Sequence, residues 1–291
     1  MEQQLDLAIS TIIAIATTIA TLALISIGLA IIFGIMRVIN LAHGEFVMLG
    51  SYVVVRLNVE HGISVWLGML VAPVALALLG ALVEVVLMRR LYGRLLDTLL
   101  ATWGLSLAIT QLVVWKYGSF SPGVGTLFGH FTVGKYSIAD YNLFLIGMTV
   151  AILVALYMIL RHTEYGVLAR AAAQRPEAAA RLGVNVARIR TITFAFGSAL
   201  AGLTGALLAP SVAVVPTEGQ GFVAQAFMTV ISGGEAVVTG MLATAGLLGG
   251  VQHGVARFAT AFFGQAALLL TAIVLLRIFP RGLSGNWARR L

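Results

Sequence analysis

Stretches of twenty or so residues with hardly a charge recur along this chain, and they constrain its fold more than any other feature, because a membrane-spanning helix needs about 20 mostly apolar residues. They run from Leu7 to Phe33, Ile63 to Met88, Leu99 to Trp115, Leu143 to Leu160, Thr191 to Val215 and Phe262 to Phe279. Two further stretches, Ile39 to Val55 and Val223 to Val255, are apolar but richer in glycine. The expectation is an all-α, polytopic helical membrane protein of eight to ten membrane segments, some of them broken or re-entrant. Strands of a membrane barrel would instead alternate apolar and polar residues in segments of roughly ten, and no such alternation occurs. Composition agrees: 60% of the 291 residues are hydrophobic and 10% charged, too little polar surface to clothe a soluble globule. The N-terminal Met-Glu-Gln-Gln carries no basic cluster and the first apolar run is too long for a signal-peptide core, so the first helix is expected to stay. The absence of cysteine excludes disulfides, thiolate metal sites and cysteine catalysis.

The net charge of +7 reports topology rather than nucleic-acid binding. Arg89, Arg90 and Arg94 share one connection, Arg161, Arg170, Arg175, Arg181, Arg188 and Arg190 another, and Arg281, Arg289 and Arg290 lie near the C-terminus. By the positive-inside rule these are cytoplasmic, which places the N-terminus outside and the C-terminus inside. Trp66, Trp103, Trp115 and Tyr117 fit interfacial anchors. Glu84, in an apolar run, is expected to snorkel toward Arg89 or to meet a second subunit.

The connection 161–190 is built to be helical. Ala, Arg and Glu dominate Gly166 to Arg181, and Pro176 suits the first turn of a new helix that stops at Gly183. A helix, a break and a short helix are expected. Such a segment fits either a docking surface for a soluble partner or a basic loop lying against anionic lipid headgroups.

Polar residues at membrane depth form the other candidate site. Arg37, Asn40, His43 and Glu45 interrupt apolar sequence, and ionisable groups there are costly unless paired or facing a cavity. Arg37 and Asn40, three apart, would share a helix face, and Gly44 is the expected helix break. Asn40, His43, Gly44 and Glu45 are therefore translocation-pathway candidates, with helix-to-helix bridging as the structural alternative. Gly44-Glu45-x-Val47-x-x-Gly50 recurs as Gly234-Glu235-x-Val237-x-x-Gly240, which adds Gly234 and Glu235, the latter with His253 as a possible partner. Phe194, Gly197, Ser198, Ala201, Gly202 and Gly205 place mostly small side chains at helical spacing and read as a packing seam.

The stretches Gly28 to Tyr52, GLAIIFGIMRVINLAHGEFVMLGSY, and Tyr165 to Pro210, YGVLARAAAQRPEAAARLGVNVARIRTITFAFGSALAGLTGALLAP, resemble the two signature regions of the branched-chain amino-acid type permeases of ABC importers. The order of segments fits across essentially the whole chain. The resemblance implies a single transmembrane permease domain over 1–291 in a bacterial cytoplasmic membrane. It also implies a second homologous permease, two cytoplasmic ATP-hydrolysing subunits and an extracytoplasmic solute-binding protein as partners. No ATP-binding motif of the G-x-x-x-x-G-K-[ST] type is present, so no cofactor is expected in this chain and ATP would be used by the partners. The family's coupling segment matches Gln174, Pro176, Glu177, Ala178, Ala179, Leu182, Gly183 and Asn185, which favours the docking reading of 161–190. Branched-chain amino acids are the implied solutes. Pro216-Thr217-Glu218-Gly219-Gln220 and Ala226-Phe227-Met228 resemble the urea-type branch, and Glu235 departs from the family's glycine-rich, uncharged pattern, so urea or a short amide is the alternative. A secondary transporter or channel fits the composition but not the docking segment. An intramembrane hydrolase would need a pair such as Ser232 and His253, for which no motif exists.

Overall fold

Every long apolar run is helical in the computed structural model, which describes residues 2–120, 122–125, 127–234 and 236–286. Eleven α-helices lie among the described residues: α1 Glu2–Met36, α2 His43–His61, α3 Val65–Val86, α4 Leu95–Tyr117, α5 Asp140–His162, α6 Glu164–Gln174, α7 Pro176–Arg181, α8 Val186–Leu208, α9 Glu218–Gly233, α10 Val237–Phe258 and α11 Ala261–Ile278. An antiparallel hairpin, β1 His130–Val133 and β2 Tyr136–Ala139, precedes α5, with His130 opposite Ala139 and Val133 opposite Tyr136.

Among the described residues, six helices are long and apolar enough to cross a membrane: α1, α3, α4, α5, α8 and α11. The bent pair α9 and α10 would make a seventh, so the expected eight to ten segments are not confirmed. The shortfall falls on the two glycine-rich stretches. One yields α2, which carries Glu45, Arg56 and Glu60 and begins only after a non-helical stretch at 37–42. The other is cut at Gly233 into α9 and α10, which are bent by 115°.

The core is organised around α8, which packs against α1, α2 and α3 through small residues. Gly197 meets Gly28 and Ile32 of α1, Gly202 meets Gly50 of α2 and Leu76 of α3, Gly205 meets Val47 of α2, and Ser198 meets Gly80 of α3. This is the expected packing seam, and backbones brought so close also exchange side-chain bonds. Ser51 Oγ donates to the Gly205 carbonyl (2.8 Å), and Thr204 Oγ1 donates to that of Leu24 (2.9 Å). On the other side of α1 lie α9, α10 and α11.

The two ends of the bundle differ in chemistry. Arg37, Arg94 and Arg190 gather around one pocket, defining a basic end. At the opposite end the β-hairpin turn at Gly134 packs against Asp6 of α1, and Arg257 of α10 bonds to Thr11. With 35 residues at 1.5 Å rise, α1 spans about 52 Å, beyond the roughly 30 Å hydrocarbon core, so its N-terminal turns project past the membrane on the hairpin side.

At the basic end the chain after α11 folds back under the α9–α10 break. Ser284 Oγ donates to the Gly233 carbonyl (2.6 Å) and accepts from the Ala236 amide (2.9 Å), satisfying one orphan group on each helix end. Ser284→Ala is expected to cost about 1–3 kcal/mol, because both groups are left unpaired away from water. A lowered melting temperature of the detergent-solubilised protein checks this, and an unchanged one contradicts it.

Candidate functional site

The polar cluster begins where α1 stops. Arg37 takes a left-handed conformation (φ 52°) while its amide still donates to the Phe33 carbonyl (3.0 Å), which ends the helix. Asn40 Oδ1 then accepts from the Ala42 amide (3.0 Å), a side-chain turn that reverses the chain. The segment 37–42 doubles back along α1 until His43 Nε2 lies 3.0 Å from the Ile25 carbonyl, about three turns above the end of α1. Two expectations are corrected here. Arg37 and Asn40 share no helix face, since both lie in the non-helical stretch. Nor does the break fall at Gly44, which sits in the first turn of α2.

Gly44 serves a close approach instead. A Cβ there would lie 1.8 Å from the Gly219 carbonyl oxygen, so the first turns of α2 and α9 touch backbone to backbone. From that contact α2 runs toward the hairpin end and α9 toward the basic end. Two positive helix termini therefore meet inside the bundle, and each carries an acid in its first turn, Glu45 in α2 and Glu218 in α9. Glu218 is a site residue that the sequence reading passed over. Its signal was Pro216-Thr217-Glu218-Gly219, a break followed by a helix start.

Asn40, His43 and Glu45 are all buried, and several of their polar atoms lack partners: Asn40 Nδ2, His43 Nδ1 and both carboxylate oxygens of Glu45. Ser106 of α4 stands beside Glu45 but outside hydrogen-bond geometry. Glu84, also fully buried, is its opposite. It accepts from Thr191 Oγ1 (2.6 Å), Tyr92 Oη (2.8 Å) and Arg89 Nη2 (3.2 Å), and Arg190 covers the Tyr92 ring at 4.4 Å. Glu84 thus does reach Arg89, in a network that ties α3 to the base of α8. One buried acid is saturated and the other has nothing to bind.

Gly234 does not join this cluster. It lies at the basic end with φ 82°, packed against the Arg281 carbonyl and Gly282. Glu235, the remaining pathway candidate, lies outside the described residues. His253 belongs to the hairpin half of α10, where its Nδ1 is 3.4 Å from Thr18 Oγ1. Ser232, at the basic end of α9, is separated from it by most of the length of α10, so those two do not form a nucleophile and base.

The second candidate site is the segment between α5 and α8. Those helices extend to His162 and from Val186, and the two short helices α6 and α7 lie between them. Thr163 caps α6, accepting from the Gly166 amide (3.3 Å). Pro176 opens α7 at its first turn, Gly183 ends the unit in the left-handed region (φ 87°), and Asn185 Oδ1 caps α8 by accepting from the Arg188 amide (2.9 Å). Ala169, Ala172 and Ile189 form a small core that includes Ile35 of α1, which fastens the unit to the bundle. Ala179 faces inward, whereas Gln174, Glu177, Ala178, Gly183 and Asn185 are exposed and Pro176 is half-buried. Leu182 is 86% exposed beside a groove of 520 Å³ lined by Tyr165, Leu168, Val184 and Ile189.

A multi-pass helical bundle with an interrupted polar segment inside and a helix–break–helix platform at its basic end fits a membrane permease. The chain belongs to the family described as branched-chain amino acid transport system, permease component, which matches residues 11–279. It is 31% identical over 291 residues to the high-affinity branched-chain amino acid transport system permease protein BraD of Pseudomonas aeruginosa, and 30% identical over 286 residues to the LivH permease protein of that description from Escherichia coli K12, with 92% of each chain covered in both comparisons. The probable branched-chain amino acid transport permease protein LivH of Methanocaldococcus jannaschii is 27% identical over 290 residues, covering 92% of this chain and 90% of the relative. No solved structure matches the chain significantly.

Proposed function

We propose that this chain is the membrane-spanning permease subunit of an ATP-driven importer for branched-chain amino acids in a bacterial cytoplasmic membrane. Its partners are a second homologous permease, two cytoplasmic ATP-hydrolysing subunits and an extracytoplasmic solute-binding protein. The basic end faces the cytoplasm and the N-terminus lies outside. The observation that carries the reading is the α6–α7 platform, whose exposed Leu182 and open groove are apolar surface left in water at the basic end. Gln174, Pro176, Glu177, Ala178, Ala179, Leu182, Gly183 and Asn185 form the coupling segment. Carried on α5 and α8 and fastened to α1, it converts closure of the ATPase pair into rigid-body rocking of the permease. Asn40, His43, Gly44 and Glu45 belong to the translocation pathway, and the saturated Glu84 network transmits movement of α8 to α3.

ATP supplies the energy from the partner chains. Affinity purification of the tagged chain, expressed with its genomic neighbours, separates this reading from a secondary transporter or channel. ATP-hydrolysing subunits that co-purify and depart when α7 is replaced by a flexible linker are the expected result. A chain that purifies alone and moves leucine without ATP contradicts it.

A further inference from the structure

Three arginines from separate parts of the chain meet at the basic end: Arg37 from the turn after α1, Arg94 from the α3–α4 connection and Arg190 from the base of α8. They line one pocket of 230 Å³, whose wall is otherwise apolar at Met36, Val38 and Leu95. Like charges gathered this way repel one another unless an anion answers them. Asp97 answers one, since Arg94 Nε lies 2.7 Å from its Oδ2. Arg37 and Arg190 form no ion pair among the described residues. Glu84 is no help to them, being already bonded to Thr191, Tyr92 and Arg89. The Tyr92 ring holds the Arg190 guanidinium at 4.4 Å, which orients that group without neutralising it.

Backbone strain points to the same pocket. Among the described residues Arg37 alone combines a side chain with a positive φ, at 52°. Glycine would hold that turn without strain, and side chains kept in such conformations cluster at ligand clamps. The membrane side of the pocket is apolar. From its edge at Leu95, the exposed residues Leu96, Leu100, Trp103 and Leu107 climb the outer flank of α4 at helical spacing. A basic hollow that opens onto an apolar stripe matches a molecule with an anionic head and an acyl tail. At about 30 Å³ per water the hollow has the space of about eight waters, room for a phosphate and its glycerol.

We propose that the Arg37–Arg94–Arg190 pocket binds the phosphate of an anionic phospholipid of the phosphatidylglycerol type, from the leaflet at the basic end, with an acyl chain along the outer flank of α4. The guanidinium groups of Arg37 and Arg190 donate to the phosphate oxygens, for which their forked geometry is suited. Arg94, shared with Asp97, adds charge. Basic pockets between membrane helices at the cytoplasmic side hold anionic headgroups in this way. The lipid joins the end of α1 to the start of α4 and the base of α8. Because α4 otherwise packs chiefly on α2, this bond anchors its end at the membrane surface. The site is independent of the solute carried.

The test titrates the purified full-length chain in detergent with phosphatidylglycerol or phosphatidylcholine and counts bound lipid by native mass spectrometry. One phosphatidylglycerol is expected to bind about tenfold or more tightly than phosphatidylcholine. Arg37→Gly suits the left-handed backbone, so it keeps or raises the melting temperature while weakening phosphatidylglycerol about tenfold, as for loss of one charge-assisted hydrogen bond. Arg190→Gln weakens it to a similar degree. Arg277→Gln removes an exposed arginine from the last turn of α11 at the same end, and leaves the affinity unchanged. Equal affinity for the two lipids overturns the site, and so does an equal fall in Arg277→Gln, which would reduce it to general surface charge. Glycerol 3-phosphate that displaces the lipid at micromolar concentration assigns the pocket to a free phosphate and overturns the lipid. ATP-hydrolysing subunits that exclude phosphatidylglycerol from the assembled complex overturn it in favour of a protein contact.

Discussion

Gly205→Leu is expected to leave no folded permease in the membrane. A Cβ at this position would lie 1.8 Å from the Val47 carbonyl oxygen and 2.8 Å from the Ser51 amide, both backbone atoms of α2 that cannot step aside one at a time. Relief requires α2 and α8 to separate, which also breaks the Ser51 to Gly205 hydrogen bond and loosens the Gly50 to Gly202 contact one turn away. Overpacking of a core costs about 1–3 kcal/mol where side chains can adjust, and more where only backbone can. Against a typical stability of about 5–15 kcal/mol, a leucine wedged between two central helices removes most of the margin. Gly104 on α4 provides the contrast, because nothing lies within 4 Å of a Cβ there. Gly104→Ala is expected to be neutral or to stabilise by up to about 1 kcal/mol, the helix-propensity difference. Monodisperse yield after detergent extraction measures both. A normal yield from Gly205→Leu would show that the seam is looser than its geometry.

Gly183→Val is expected to abolish coupled ATP hydrolysis while the bundle stays folded. The space around Gly183 is open, so the effect is not steric crowding but the backbone itself. Its φ of 87° lies in the left-handed region, which costs an ordinary residue about 1–2 kcal/mol and a β-branched one more. That strain is relieved by re-aiming the turn between α7 and α8, which moves Leu182 and Glu177 relative to α8. Gly183→Asn should keep much of the activity, since asparagine tolerates this conformation. Glu177→Lys acts differently, by reversing charge on the exposed face of α7 beside Arg181, and should weaken ATPase attachment without changing the fold. ATP turnover per permease in purified complexes gives the ranking, with Asn above Val. Wild-type turnover in both Gly183→Val and Glu177→Lys would remove the coupling assignment.

Features governed by local chemistry were legible in the sequence. Apolar runs gave the long helices, Pro176 and Gly183 gave the ends of α7, and the small residues of α8 gave the packing seam, because each depends on one helix's own side chains. Segments whose course is set by long-range contacts were not. Gly44 looked like a break since glycine weakens helices, yet the break lies at Arg37, a residue with no propensity for the left-handed conformation it adopts. Gly44 is needed for α9, almost 180 residues away, and nothing within α2 announces that partner. The membrane count stays unconfirmed for a related reason: the apolar Ile39 to Val55 is helical only from His43 and runs on into Arg56 and Glu60, while the α9–α10 bend is held by Ser284 from the chain after α11.

The polar cluster was half legible. Asn40, His43 and Glu45 stood out as interruptions of apolar sequence, but hydroxyls such as that of Ser106 on α4 are common in any membrane helix. Only the fold shows that the Leu41 amide bonds to Thr102 of α4 and that Ser106 stands beside Glu45. The apparent repeat around Gly44 and Gly234 carries less, since Gly44 packs in the interior on α9 and Gly234 at the basic end on the chain after α11.

The central claim is tested most directly by ATP hydrolysis of the complete complex in lipid, with its binding protein present and leucine or urea supplied in turn. Hydrolysis that rises with leucine, and does not rise with urea, is the predicted result. Stimulation by urea alone, or leucine uptake with no ATP consumed, would contradict it.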